Sequence, residues 1–220
     1  MKKSILLVAG LGLFFGKIGA QEMAPVTNTQ TDLRSKITLG AKLGTNYSNI
    51  YKVENEVFNA DAKFGYAAGV FFAIPLGVMY GVQPEALFTQ KGFKGKGEIK
   101  GESYTFSRTT NHLDIPLLFA VKPTEFVTLL AGPVWSYLFG QTDAYTYGST
   151  MVSNETSFSN SKLRKNTLGF TAGLDLTMKH LVVGLRVGWD LQKNNGDGTT
   201  ATTLYKNNWF QGTVGYRLYR

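Results

Sequence analysis

The chain has no cysteine, two histidines and six prolines. Past residue 20 it also lacks any helix-period stretch, low-complexity run or internal domain boundary. Each shortage excludes something. Without cysteine there is no disulfide framework and no thiol nucleophile, so an exported chain of this kind must stabilise itself by packing and hydrogen bonding. His112 and His180 lie far apart and have no cysteine to join them, so they make no metal-ligand set, and no cofactor is implied. Excess charge is mild too. The formal net charge is +8, and removing Lys2, Lys3 and Lys17 leaves 20 basic against 15 acidic residues, or +5. That balance suits a surface among anionic lipid headgroups and calls for no nucleic acid.

What is present is glycine, 25 residues of it, and 13% aromatics. The start, Met1-Lys2-Lys3, then an apolar run to Phe15 and Ile18-Gly19-Ala20 before Gln21, has the charge, the short apolar core and the small residue of a secretory signal. The expected organisation is a cleaved signal at 1–20, a flexible polar tail at 21–35 and one all-β domain at 36–220.

Residues 168–191 set the reading of that domain. Folded back at Lys179-His180, the stretch sorts completely. Leu168, Phe170, Ala172, Leu174 and Leu176 meet Leu191, Trp189, Val187, Leu185 and Val183 on one face. Gly169, Thr171, Gly173, Asp175 and Thr177 meet Asp190, Gly188, Arg186, Gly184 and Val182 on the other. Period-two alternation is the mark of antiparallel strands. Here the apolar face is free of charge and the polar face mixes glycine, threonine and opposite charges, which is the inside-out arrangement of a membrane barrel.

The same alternation recurs at about 37–47, 64–74, 80–90, 111–121, 127–137 and 209–219. Together with the hairpin this predicts eight strands joined alternately by long polar connections and short turns. The long connections are expected at 48–63, 91–105, 140–163 and 192–208. Such a rhythm predicts an eight-stranded antiparallel up-and-down transmembrane β-barrel. A lipocalin-like soluble barrel would carry its charges outside; here mid-strand charges share the glycine and threonine face. Pro84 and Pro116 fall within neighbouring strands and predict a bulge or widened ladder, since proline lacks the ladder donor.

The sequence resembles the PorT-like outer-membrane β-barrel family of Gram-negative bacteria. The resemblance lies in Gly69-Val-Phe-Phe-Ala-Ile-Pro75, Gln83-Pro-Glu-Ala-Leu-Phe-Thr-Gln-Lys-Gly92, His112-Leu-Asp-Ile-Pro-Leu-Leu118, Ala131-Gly-Pro133 and Gly184-Leu-Arg186. It implies an integral outer-membrane barrel inserted by the outer-membrane assembly machinery, and it carries no catalytic signature. Barrels inserted that way commonly end in an aromatic residue; this chain ends Tyr219-Arg220.

Three groups of candidate residues follow. Lys42, Glu85, Asp114, Asp175, Arg186, Asp190 and Arg217 are expected to face inward as a lumen ion-pair network, because buried charges persist only when paired. Tyr47, Tyr66, Tyr80, Phe88, Phe126, Trp135, Tyr137, Phe170, Trp189 and Trp209 gather near strand ends as an interfacial aromatic girdle. Lys91, Lys94, Lys96 and Lys100 form a basic run in a predicted outer loop, suited to lipopolysaccharide phosphates. His112 and Asp114 stand two apart on one face, but no nucleophile is specified beside them. The expectation is a monomeric, non-enzymatic, porin-like envelope protein in contact with membrane lipid, its work done by outer loops. The alternatives are a narrow channel or secretion-associated component, and a lipid-modifying enzyme.

Overall fold

The organising hairpin forms in the expected register. In the computed structural model Gly169 pairs with Asp190, Phe170 with Trp189, Gly173 with Arg186, Asp175 with Gly184, and Met178 with Leu181. Lys179 takes the left-handed backbone conformation that closes the two-residue turn, with φ 52°. The structure describes residues 33–52, 59–99, 102–147, 150–155, 164–194 and 205–219. These belong to a unit spanning Thr31–Arg220. The expected signal and most of the tail lie outside the described residues, and the tail's last three, Leu33–Ser35, form a 3-10 turn.

The strands are β1 (Thr38–Lys52), β2 (Asn59–Pro75), β3 (Tyr80–Ile99), β4 (Glu102–Val121), β5 (Val127–Tyr147), β6 (Thr150–Glu155), β7 (Asn166–Met178), β8 (Leu181–Asp190) and β9 (Tyr205–Tyr219). All pairings are antiparallel. β1 pairs with β2 and β9, and β4 with β5, so the sheet closes on itself. β6 adds only to the outer end of β5, leaving eight strands in the ring: a closed all-β barrel. No helix among the described residues is long and apolar enough to cross a membrane. That has no bearing on a barrel, which crosses with strands.

The strands run well past their expected ends. Most of 91–105 and the first part of 140–163, predicted as polar loop, are strand in β3, β4, β5 and β6. The reason is a reversal of polarity along each stave. In the lower barrel the outward face is apolar, with Leu39, Leu43, Val70, Phe119, Leu185 and Val214 all exposed, while Asn46, Glu85, Asp114 and Arg186 are buried inside. Higher up, Ile50, Phe93, Phe106 and Tyr205 pack inside as a buried cluster, and Asp61, Lys94 and Lys96 stand outside. The upper barrel is thus a water-side extension with its own apolar core.

Proline acts by interruption. β3–β4 pairing lapses between Pro84↔Leu117 and Leu87↔Asp114, and β4–β5 pairing between Pro116↔Val134 and Phe119↔Ala131, with register unchanged. The ladder is broken where expected, but no bulge forms there. Register shifts lie instead between Ala62 and Ala67 and between Asn111 and His112.

Candidate functional site

The lumen is filled in storeys, each assembled from side chains of distant strands. In the lowest, Lys42 of β1 donates from Nζ to Glu85 Oε1 of β3 at 2.6 Å. Gln83 bridges the same oxygen (2.9 Å) to Asp175 Oδ2 of β7 (3.2 Å). Arg186 of β8 sets Nη1 2.7 Å from Asp175 Oδ1 and Nη2 3.7 Å from Glu85. Its Nη1 hydrogens are aligned on the carbonyls of Leu174 (2.9 Å) and Leu185 (3.2 Å), so the contact with Asp175 is more Coulombic than hydrogen-bonded. Glycine makes the space. A Cβ on Gly184 would come within 2.7 Å of Asp175 Oδ1, and one on Gly173 within 2.9 Å of Arg186 Cδ.

The next storey holds Lys91. Its Nζ lies 3.0 Å from Asp114 Oδ2, which also accepts from Thr89 at 2.8 Å. Trp209 covers the ammonium with its ring centroid 3.9 Å away, a cation–π contact strengthened by exclusion of water. Asp190 is held separately by Asn207 Nδ2 at 2.6 Å. Between the storeys remain cavities of about 10 and 20 Å³, room for a water and no more. Above them sits the Ile50–Phe93–Phe106–Tyr205 cluster, flanked by a two-bond clasp of Arg108 on Asp143 at 2.8 and 2.7 Å. Burial works against the Arg108 charge, but Asp143 and Tyr205 together outweigh it and hold the guanidinium more basic than usual.

Of the seven expected lumen charges, Lys42, Glu85, Asp175 and Arg186 meet in one network, and Asp114 anchors the second storey. Asp190 joins no ion pair among the described residues and is satisfied by amide donors. Arg217 points inward at the lower mouth, its Nε buried without a hydrogen-bond partner.

Two expectations are corrected. Lys91 is not in an outer loop: it is 1% exposed, buried against Asp114. Trp209 is not in an outward girdle: it is 6% exposed, inside, over Gly188, where any Cβ would overlap its ring. Parity carried both signals. Lys91 is in step with Glu85 and Thr89, and Trp209 with Gln211 and Thr213.

His112 is buried, and neither ring nitrogen has a partner, so it makes no dyad with Asp114. Among the described residues no cluster of three or more histidine, cysteine or carboxylate groups could hold a metal ion.

The model of the outer membrane protein beta-barrel domain matches residues 20–195. The chain belongs to that family. It is an outer-membrane β-barrel protein, and its exposed apolar belt is the surface that meets lipid. Similar solved structures include Ail, the attachment invasion locus protein of Yersinia pestis, at 13% identity, TM-score 0.44, covering 83% of this chain and 99% of that one. OprG from Pseudomonas aeruginosa is similar at 12% identity, TM-score 0.44, covering 86% and 100%. Neisserial surface protein A is similar at 8% identity, TM-score 0.47, covering 82% and 97%. No curated protein matches.

On the outer-membrane barrel's outward face, Tyr47, Tyr66, Tyr80, Phe88, Phe126, Trp135 and Trp189 are exposed, with Tyr137 and Phe170 half-buried. Trp135 stacks with Tyr137 at 6.2 Å and Phe170 tilts against Trp189 at 5.5 Å. Phe119 is exposed on the apolar face as expected, whereas exposed Phe64 (70%) and Phe139 were not anticipated as outward aromatics; Phe139 is in step with Trp135 and Tyr137 and lies at the β4–β5 register shift. Lys94 and Lys96 are exposed above this belt, Lys96 lying 3.3 Å from Asp61. Lys100 lies outside the described residues.

Proposed function

We propose that this barrel is a non-conducting, non-enzymatic envelope protein whose lumen is structural and whose specific work is done at its outer end. The observation that carries the reading is the filling of the lumen. Two charged storeys and an apolar cluster lie one above another, and the cavities lined by their described residues, of about 10 and 20 Å³, are water-sized. A passage for solutes needs continuous space, and eight-stranded barrels leave little beyond their side chains. His112 lacks any bonded partner, which weighs against a hydrolase triad, whose base must reach both nucleophile and orienting carboxylate.

Within this reading the PorT-like resemblance names the branch of the family. Residues 1–20 are a signal removed on export, and the mature chain is inserted as a monomer by the outer-membrane assembly machinery. Lys94 and Lys96, basic and above the aromatic belt, are the contacts for lipopolysaccharide phosphates. The aromatic side chains named above form the interfacial girdle. The test is planar-bilayer recording of the purified protein. Silence at moderate voltage is expected, and steady open currents would replace this reading with that of a narrow channel.

A further inference from the structure

The outward face of the barrel carries a groove where the lipid belt gives way to the water-side extension. It measures about 900 Å³ and is lined by Tyr47 and Tyr51 of β1, Trp189 of β8, Asn208 and Phe210 of β9 and Asp61 of β2. Register arranges its floor in two rows. In the lower row Val187, Phe210 and Tyr47 stand side by side across β8, β9 and β1; in the upper row Trp189, Asn208 and Asn49 do so. The lower row continues the exposed apolar belt. The upper row lies where polarity turns over, next to Ile50 of the inner apolar cap. Much of the wall is fixed. The Tyr51 hydroxyl reaches over β9 and donates to the Asp190 carbonyl of β8 at 2.9 Å. Asn49 Nδ2 donates to the Ala60 carbonyl at 3.2 Å, and its Oδ1 accepts from the Ile50 amide at 2.8 Å. Phe170 backs Trp189 at 5.5 Å and Phe64 backs Tyr47 at 4.8 Å. By contrast, the Asn208 amide, the Trp189 indole N–H and the Tyr47 hydroxyl bond to no other described residue, and all three side chains are exposed.

Depth and charge say what such a groove selects. A ligand covering both rows has an apolar part at the belt and a polar part in water, which is the build of a membrane lipid where head meets tail. The described wall holds no lysine, arginine or histidine, and its one carboxylate, Asp61, pairs at the rim with Lys96 at 3.3 Å. Phosphate heads are held by cationic donors, and this wall has none. Neutral hydroxyls suit it better. They donate to and accept from a primary amide, and the C–H face of a sugar ring lies against the electron-rich faces of tryptophan and tyrosine. The volume falls within the range of small-ligand sites, roughly 300–1,000 Å³.

We infer that this groove holds the sugar head of an outer-leaflet glycolipid, with Trp189 and Tyr47 against the sugar and Asn208 hydrogen-bonding its hydroxyls. Such a partner rests on the reading that the barrel's specific work is done at its outer end. The groove itself uses neither Lys94 nor Lys96 and is indifferent to conduction.

The probe is digalactosyldiacylglycerol, a neutral glycolipid without phosphate, set against phosphatidylglycerol with the same acyl chains. The full chain is reconstituted in phosphatidylcholine nanodiscs holding equal mole fractions of the two, and the lipids it retains are counted by native mass spectrometry. One glycolipid per barrel is expected, favoured over phosphatidylglycerol by about tenfold or more. Trp189→Leu and Asn208→Leu, which keep the surface apolar, are each expected to lower retention about fivefold, the loss of one stacking or neutral hydrogen-bonded contact. Heat-dependent gel mobility establishes that each variant is a folded barrel. Equal retention of the two lipids, retention of neither, or undiminished glycolipid on the folded Trp189→Leu and Asn208→Leu variants overturns the inference. Because the probe carries no phosphate and conduction is not measured, any of these results leaves the lysine contacts and the closed lumen to their own tests.

Discussion

Glu85 holds the lower storey together from a single oxygen. Its Oε1 lies 2.6 Å from Lys42 Nζ, 2.9 Å from Gln83 Nε2 and 3.7 Å from Arg186 Nη2, so it faces two cations, from β1 and β8, across the lumen. Truncating it removes the carboxylate paired with Lys42 and leaves Arg186 with Asp175 alone, in a space closed to water. Removing one partner of a buried ion pair costs about 3–5 kcal/mol, and that loss is the expected effect of Glu85→Ala on the urea midpoint followed by tryptophan fluorescence. A change below about 0.5 kcal/mol, the range of an inert surface substitution, would mean that the network contributes nothing. The sequence identified Glu85 because its alternation partners, Gln83 and Thr89, are polar and fall on the glycine face. Lys91 obeys the same parity, yet its place in a run rich in lysine and glycine made it look like loop. Trp209 was grouped with aromatics by its nearness to a strand end, although its step with Gln211 and Thr213 already pointed inward.

The β-strands show why the middle of the fold was legible and its upper third was not. A template of grease outside and polarity inside identifies a strand only where lipid surrounds it. The hairpin β7–β8 lies largely within that zone and its register followed pair by pair. In β1, β3, β4 and β9 the chain continues into water, where the rule turns over: Ile50, Phe93, Phe106 and Tyr205 face in and polar residues face out. Read against the membrane template, such segments look like polar connections. The inversion has a measurable consequence. Leu43 and Val214 are paired outward neighbours on β1 and β9 in the lipid belt. Leu43→Arg is expected to cost about 2–4 kcal/mol in a lipid-bilayer folding titration, as a cation near the midplane does. Lys94→Glu with Lys96→Glu, above the belt, is expected to leave the midpoint within about 0.5 kcal/mol while weakening adsorption to lipopolysaccharide vesicles. Equal destabilisation by both changes would place the boundary elsewhere.

Over the whole molecule, closure is redundant. The ring has no open edge, since β1 pairs along its length with β9 and β4 with β5, so the strands cannot part to widen the lumen without breaking a ladder. Within that fixed wall the apolar cap, the Lys91–Asp114–Trp209 storey and the Lys42–Glu85–Arg186–Asp175 storey draw on different residues, so each can be removed while the others remain. The cap is the easiest to test. It packs Phe93 against Phe106 and Tyr205 at ring distances of 5.8 and 5.3 Å, in the water-side extension, away from the lipid belt. Phe93→Ala with Phe106→Ala and Tyr205→Ala should therefore loosen the outer end, seen as faster amide exchange around residues 93 and 106, and leave the barrel inserted. If the charged storeys close the lumen by themselves, the triple variant stays silent in planar bilayers. If the apolar cap is the seal, it conducts, and the ion pairs below then line a pathway.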